Sequence, residues 1–202
     1  LFSNRKVRIV VYIEYFINNF IYFYIFINIM DTNTFNQKLL EFQYPINRRR
    51  HNTISGSDVH RSMALGIVNV RPCCFKNKDG ETINEAQQDC ILLRKPKFKE
   101  LFKQTNEWVN KVYPDIQKYS TIMYNGNNQC KKHIDGNNVG ESIIIGMGDY
   151  TGGRLIVYDK EGKKNYIDIN KKFVKFNGSN YYHEVEDWIG TRISLVFYNI
   201  VT

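Results

Sequence analysis

From Tyr119 onward the chain is a succession of short β-rich runs: 119–124, 142–147, 154–159, 165–169, 172–176, 180–185 and 191–200. Turn-forming pairs separate them, among them Asn125-Gly126, Gly152-Gly153, Glu161-Gly162, Asn177-Gly178 and Ile189-Gly190. Many short strands at regular spacing close into a β-sandwich or barrel. The segment before them is helical in character. Residues 96–113 place Phe98, Leu101, Phe102, Trp108, Val109 and Val112 on one face at helical spacing. Pro96 suits the first turn of that helix, and Pro114 stops it. An aromatic stripe of this kind is core, so the helix is expected to lie on the sheet. A shorter helix is expected around Phe35, Leu39, Leu40 and Phe42, a strand over 63–71 and a polar loop over 76–90. The expected fold class is β-rich α+β: a strand core with packing helices N-terminal to it.

A length of 202 residues suits one domain with a short appendage, and 43% hydrophobic content fills a core. That composition excludes disordered chains, small disulfide scaffolds and polytopic membrane proteins. Cys73 and Cys74 are adjacent, and Cys90 and Cys130 stand apart, so no CxxC pair exists. The pattern reads as reduced thiols in an intracellular protein rather than a disulfide framework or zinc ribbon. Residues 1–29 form a hydrophobic leader with the basic cluster Arg5, Lys6 and Arg8 ahead of the apolar run 10–29. That run is long enough to span a membrane, but Glu14, Asn18, Asn19 and Asn28 interrupt it. One central acidic residue costs about 3 kcal/mol of insertion, while each Ile or Phe returns only about 0.3–0.6 kcal/mol. The leader is therefore expected to be an extension outside the fold rather than a membrane anchor, leaving 30–202 as the domain, with no stable membrane association and no obligate protein partner. The formal charge is +8, and +6 without the leader, so the basic balance belongs to the domain.

Only four histidines are available for chemistry. In His133-Ile134-Asp135, an extended backbone turns residues i and i+2 to the same side, so one imidazole and one carboxylate can meet a single metal. His183 follows the Asn177-Gly178 turn. Two histidines and one carboxylate with open positions suit non-heme Fe(II), with zinc as the alternative. Beyond them, Arg192, Ser194 and Val196 share one face of a strand, while Ile193, Leu195 and Phe197 share the other. A guanidinium and a hydroxyl side by side in a barrel interior can clamp a carboxylate by parallel hydrogen bonds. A buried Arg needs an anionic partner, and a dicarboxylate co-substrate would supply one. The alternative is a structural ion pair between Arg192 and Glu184 or Glu186.

The ordered set His-x-Asp, distal His, then Arg-x-Ser resembles the 2-oxoglutarate/Fe(II)-dependent dioxygenase superfamily. The resemblance covers about residues 119–200. It implies a double-stranded β-helix, or jelly-roll, core and the cofactors Fe(II), 2-oxoglutarate and O2. His133, Asp135 and His183 would be the catalytic metal ligands. Arg192 and Ser194 would bind 2-oxoglutarate, and Tyr124 would hydrogen-bond it. The stretch CKKHIDGNNVGESIIIGMGDYTGG is similar to the TET/JBP branch, which oxidises the methyl group of pyrimidine bases in DNA. In that branch an Asn three residues after the metal-binding Asp reads the base, a position held here by Asn138. The chain lacks the branch's long insert and Cys-rich region. Nucleic acid, DNA in the first instance, is the implied substrate. Arg48, Arg49, Arg50, Lys131 and Lys132 are candidate phosphate contacts. The alternatives are an AlkB-type demethylase, a prolyl-type protein hydroxylase, and a jelly roll that only binds. The prolyl enzymes commonly carry Lys where Arg192 stands, which counts against them.

Overall fold

A computed structural model describes residues 30–47, 61–69 and 87–200. The leader, Arg48–Arg50, His51, His60, Cys73 and Cys74 lie outside the described residues. Two helices, α1 (Thr32–Glu41) and α2 (Pro96–Val112), accompany nine strands. The strands are β1 (Arg61–Asn69), β2 (Gln87–Asp89), β3 (Thr121–Gly126), β4 (Asn138–Gly152), β5 (Leu155–Tyr158), β6 (Lys164–Ile167), β7 (Val174–Phe176), β8 (His183–Val185) and β9 (Trp188–Ile200). They form a large sheet in the order β2-β1-β3-β9-β4-β7 and a small sheet in the order β6-β5-β8, antiparallel throughout. The two sheets face each other as a double-stranded β-helix, with both helices on the outer face of the large sheet.

The helices begin where local chemistry dictates. The Asp31 carboxylate caps α1 by accepting from the backbone N–H groups of Asn33 at 2.9 Å and Thr34 at 3.0 Å. Pro96 occupies the first turn of α2, and the helix ends at Val112 ahead of Pro114. Its buried face is Phe98, Leu101, Thr105, Trp108 and Val109, while Val112 is exposed. Trp108 stacks on Phe35 of α1 with ring centroids 4.4 Å apart.

Alternation along the strands builds two cores. Odd-numbered residues of β4 and β9, Ile143, Ile145, Met147, Ile193, Leu195 and Phe197, pack beneath the helices. Even-numbered Ile144 joins Leu155, Ile169 and Phe176 between the sheets, with Val196 against them. β4 and β9 are longer than the sequence suggests and remain paired to Gly152↔Trp188. Gly148 allows this continuation. Its φ is +107°, and a Cβ there would stand 2.2 Å from the Thr191 carbonyl oxygen. β3 likewise runs through Asn125-Gly126, and the chain turns instead at Asn127, whose φ is 50°. Among the described residues, no helix is long and apolar enough to cross a membrane.

Candidate metal centre

The segment after β3 lies along the free side of β8 and extends the small sheet. The Cys130 carbonyl accepts from Val185 N–H at 3.1 Å. His133 and His183 exchange both backbone hydrogen bonds, at 3.0 and 2.9 Å, and Asp135 N–H donates to the Gly178 carbonyl at 2.9 Å. Antiparallel pairing thus puts His133 opposite His183, and the two-residue period turns Asp135 to the same side. The start of this segment is fixed to β9. Asn127 N–H donates to the Arg192 carbonyl at 2.7 Å, and Asn127 Oδ1 accepts from Arg192 N–H at 2.7 Å.

The three side chains converge. One ligand atom from each of His133, Asp135 and His183 lies within 4.8 Å of the others. Asp135 Oδ1 is 3.4 Å from His133 Nε2, and Asp135 Oδ2 is 3.5 Å from His183 Nε2. The far ring nitrogens are engaged: His133 Nδ1 meets the Lys131 carbonyl at 2.6 Å, and His183 Nδ1 meets the Tyr181 carbonyl at 3.1 Å. A carbonyl only accepts, so each Nδ1 carries a hydrogen, and in the neutral ring Nε2 is left with its lone pair. Two nitrogen lone pairs and a carboxylate then face one another, an arrangement that a cation completes. The donor set fits a non-heme divalent iron, with outer partners that orient the imidazoles. Burial opposes ionisation of Asp135, but wherever the two imidazoles carry a proton on Nε2 as well, their hydrogen bonds and charge outweigh it, and a metal cation would take the place of those protons. The carboxyl is held well below the usual carboxylate range. Gly178 leaves room for the cluster, because a Cβ there would stand 2.9 Å from the Phe176 ring and 3.1 Å from both Asp135 Oδ2 and His183 Cε1.

Arg192 lies on the interior face of β9, two residues before Ser194, and is 1% exposed. Its Nε donates to the Gly153 carbonyl at 3.1 Å, while Nη1 and Nη2 have no acceptor in hydrogen-bonding geometry. Burial lowers its pKa, opposed by Tyr150 and Cys130. The structural ion-pair alternative does not hold. Glu186 is bidentate with Arg154 at 2.6 and 2.8 Å, and Glu184 accepts from Tyr158 and Lys164. Two unsatisfied guanidinium nitrogens in a closed interior fit an incoming carboxylate. Ser194, buried two residues along the face, accepts from Asn125 Nδ2 at 3.3 Å and keeps its own O–H to donate.

Tyr124 is a correction. It is fully buried on the opposite face, beneath α2, where its hydroxyl donates to Thr105 Oγ1 at 2.8 Å. A one-residue step along a strand reverses the face, so β3 presents Met123 and Asn125 to the interior instead. The phenol that does belong to the interior is Tyr150, which sequence reading missed. It lies diagonally from Arg192 across the Gly148↔Arg192 pair, with the guanidinium carbon 5.7 Å from its ring centroid. Its hydroxyl is buried beside the Arg192 guanidinium, outside strict hydrogen-bond geometry, and reaches back over Gly146, where a Cβ would come within 2.0 Å of it. Gly146 pairs with Ser194, so the Tyr150 hydroxyl comes beside the position of Ser194.

A groove of about 340 Å³ opens from the metal centre between His133, Asp135, Asn137 and Asn138 on one side and Ala64, Val68, Met123, Tyr198 and Ile200 on the other. Asn138 Nδ2 donates to Asp135 Oδ2 at 3.2 Å. Lys131 and Lys132 are exposed beside His133, and the Lys132 ammonium rests 3.8 Å from the Tyr158 ring centroid.

No protein-family model matches the chain, and no curated protein sequence matches it. Solved structures do. The structure of OsALKBH1 is similar over 84% of this chain and 94% of its own, at 13% identity and a TM-score of 0.47. NgTET1 in complex with 5mC DNA is similar over 69% of this chain at 14% identity and a TM-score of 0.43, and this chain spans 60% of that chain's length. An oxidoreductase of the 2OG-Fe(II) oxygenase family from Burkholderia pseudomallei is similar over 83% of this chain and 79% of its own, at 15% identity and a TM-score of 0.51. The chain therefore has the double-stranded β-helix fold of that oxygenase.

Proposed function

We propose that the protein is an Fe(II)- and 2-oxoglutarate-dependent dioxygenase that hydroxylates a C–H group, the methyl of a pyrimidine base (5-methylcytosine or thymine) in DNA. One observation carries the reading: Arg192, buried with two guanidinium nitrogens lacking an acceptor, stands on the same face of β9 as Ser194, which lines the cavity at the His133, Asp135 and His183 cluster. A metal-ligand set on the small sheet and a guanidinium on the facing large sheet are what a metal-chelating dicarboxylate requires. Fe(II) and 2-oxoglutarate, when bound, supply the oxidising chemistry: dioxygen is consumed, the oxo acid is decarboxylated to succinate and CO2, and a substrate C–H becomes C–OH.

The chain's own residues do the rest. His133, Asp135 and His183 would hold one side of the metal and leave the other side open. Asp135 stays ionised at neutral pH and brings one negative charge to it. Arg192, with the Tyr150 and Ser194 hydroxyls, would anchor the far carboxylate and so fix the orientation of the co-substrate. Ile144, Leu155 and Phe176 close the wall around the metal cluster and limit water.

The groove supports the substrate class. It has apolar walls, one phenol and two amides, and among the described residues it has no Lys or Arg in its lining. Such a lining suits a neutral planar ring bearing a methyl group, with the charged backbone left outside among basic residues. A base in a duplex would have to leave the stack to enter. The test is mass spectrometry of nucleosides from methylated and unmethylated DNA incubated with protein, Fe(II) and 2-oxoglutarate. An oxidised pyrimidine is expected. Succinate formation with every pyrimidine unchanged would overturn the DNA substrate.

A further inference from the structure

Asn138 occupies the position expected to read a base, yet its contacts point to the metal ligand. Its backbone N–H donates to the Asp135 carbonyl at 3.0 Å, and its side-chain Nδ2 donates to Asp135 Oδ2 at 3.2 Å. Residues 135–138 thus form a closed turn in which the carboxylate is gripped from its own chain. Oδ2 is also the oxygen that faces His183 Nε2, while Oδ1 faces His133 Nε2. A carboxylate on a two-bond stem can rotate about its terminal torsion, which has only broad preferences. The amide removes that freedom and keeps one oxygen toward each histidine. Asn138 also borders both the inner cavity and the groove, so it stands where metal and substrate regions meet.

We infer that Asn138 is a positioning residue for the metal centre, holding the Asp135 carboxylate in its ligating orientation through the Nδ2 hydrogen bond. The inference builds on the metal-centre reading above. An outer partner of a ligand is worth about 10–100-fold in metal affinity.

The test is anaerobic titration of Fe(II) into wild-type, Asn138→Ala and Asn138→Leu protein by calorimetry, with thermal melting of each apoprotein to establish that it folds. Asn138→Leu keeps much of the side chain's shape and is neutral but has no N–H donor, so it separates the hydrogen bond from packing without adding charge beside the metal. Both variants should bind Fe(II) about 10-fold more weakly or worse. Wild-type Fe(II) affinity in Asn138→Leu would overturn the positioning role and leave the metal centre standing. A wild-type protein that binds no Fe(II) would overturn the metal-centre reading and this inference with it.

Discussion

Arg192→Met should stabilise the apoprotein and disable it at the same time. The wild-type guanidinium is 1% exposed and has two nitrogens without acceptors, so the folded apoprotein carries the desolvation cost of a charge that nothing neutralises. Methionine fills a similar volume without that cost. Replacing buried charge by a well-packed apolar residue is worth about 1–4 kcal/mol, which would appear as a higher melting temperature without ligand. The function moves the other way. Each charge-assisted hydrogen bond to a carboxylate contributes about 1.5–3 kcal/mol, so losing two should raise the 2-oxoglutarate requirement by 100-fold or more. The two measurements are coupled by ligand linkage: with Fe(II) present throughout, adding millimolar 2-oxoglutarate should raise the wild-type melting temperature further and leave that of Arg192→Met unmoved. Equal 2-oxoglutarate dependence in the two proteins would remove Arg192 from the clamp.

Asp135→Ala is expected to abolish Fe(II)-dependent conversion of 2-oxoglutarate. The carboxylate is the one anionic group among the three ligands, and both histidine Nε2 atoms are directed at it. Without it two neutral imidazoles would face a divalent cation alone, and the affinity should fall by orders of magnitude. Removing Asp135 also releases the grip of Asn138, which then has no acceptor at that site. The check is equilibrium dialysis against Fe(II) under anaerobic conditions, followed by succinate measurement. Turnover equal to wild type would remove Asp135 from the metal centre.

Much of this architecture is legible in the amino-acid order because it depends on local periods. α2 is marked by apolar spacing between two prolines, and each short strand by the turn pairs around it. The metal cluster is legible for a related reason: an i, i+2 pair in an extended segment must share a side, whatever sheet receives it. Face assignment is where sequence reading fails. Tyr124 is one residue out of phase with the interior, and a period of two converts that single step into the opposite side of the sheet. Tyr150 escaped notice for a different reason. Its approach to Arg192 depends on the β4–β9 register, which sets Gly148 opposite Arg192, and on Gly146 leaving room for the phenol. Neither relation has a local signature. The same holds for Gly178, which looks like half of a turn pair but is small because Asp135 and His183 lean against it. Asn138 was visible as a residue near the metal motif, but only the coordinates give it an acceptor.

The central claim is that the His133, Asp135 and His183 cluster and the Arg192 clamp serve one reaction. Its most direct test is quantification of succinate from 2-oxoglutarate by purified protein in the presence of methylated DNA, with Fe(II) and O2 supplied or withheld. Succinate should form only when Fe(II) and O2 are both present, and should disappear in Asp135→Ala. No succinate from folded wild-type protein under any of these conditions, or succinate that persists in Asp135→Ala, would contradict the account.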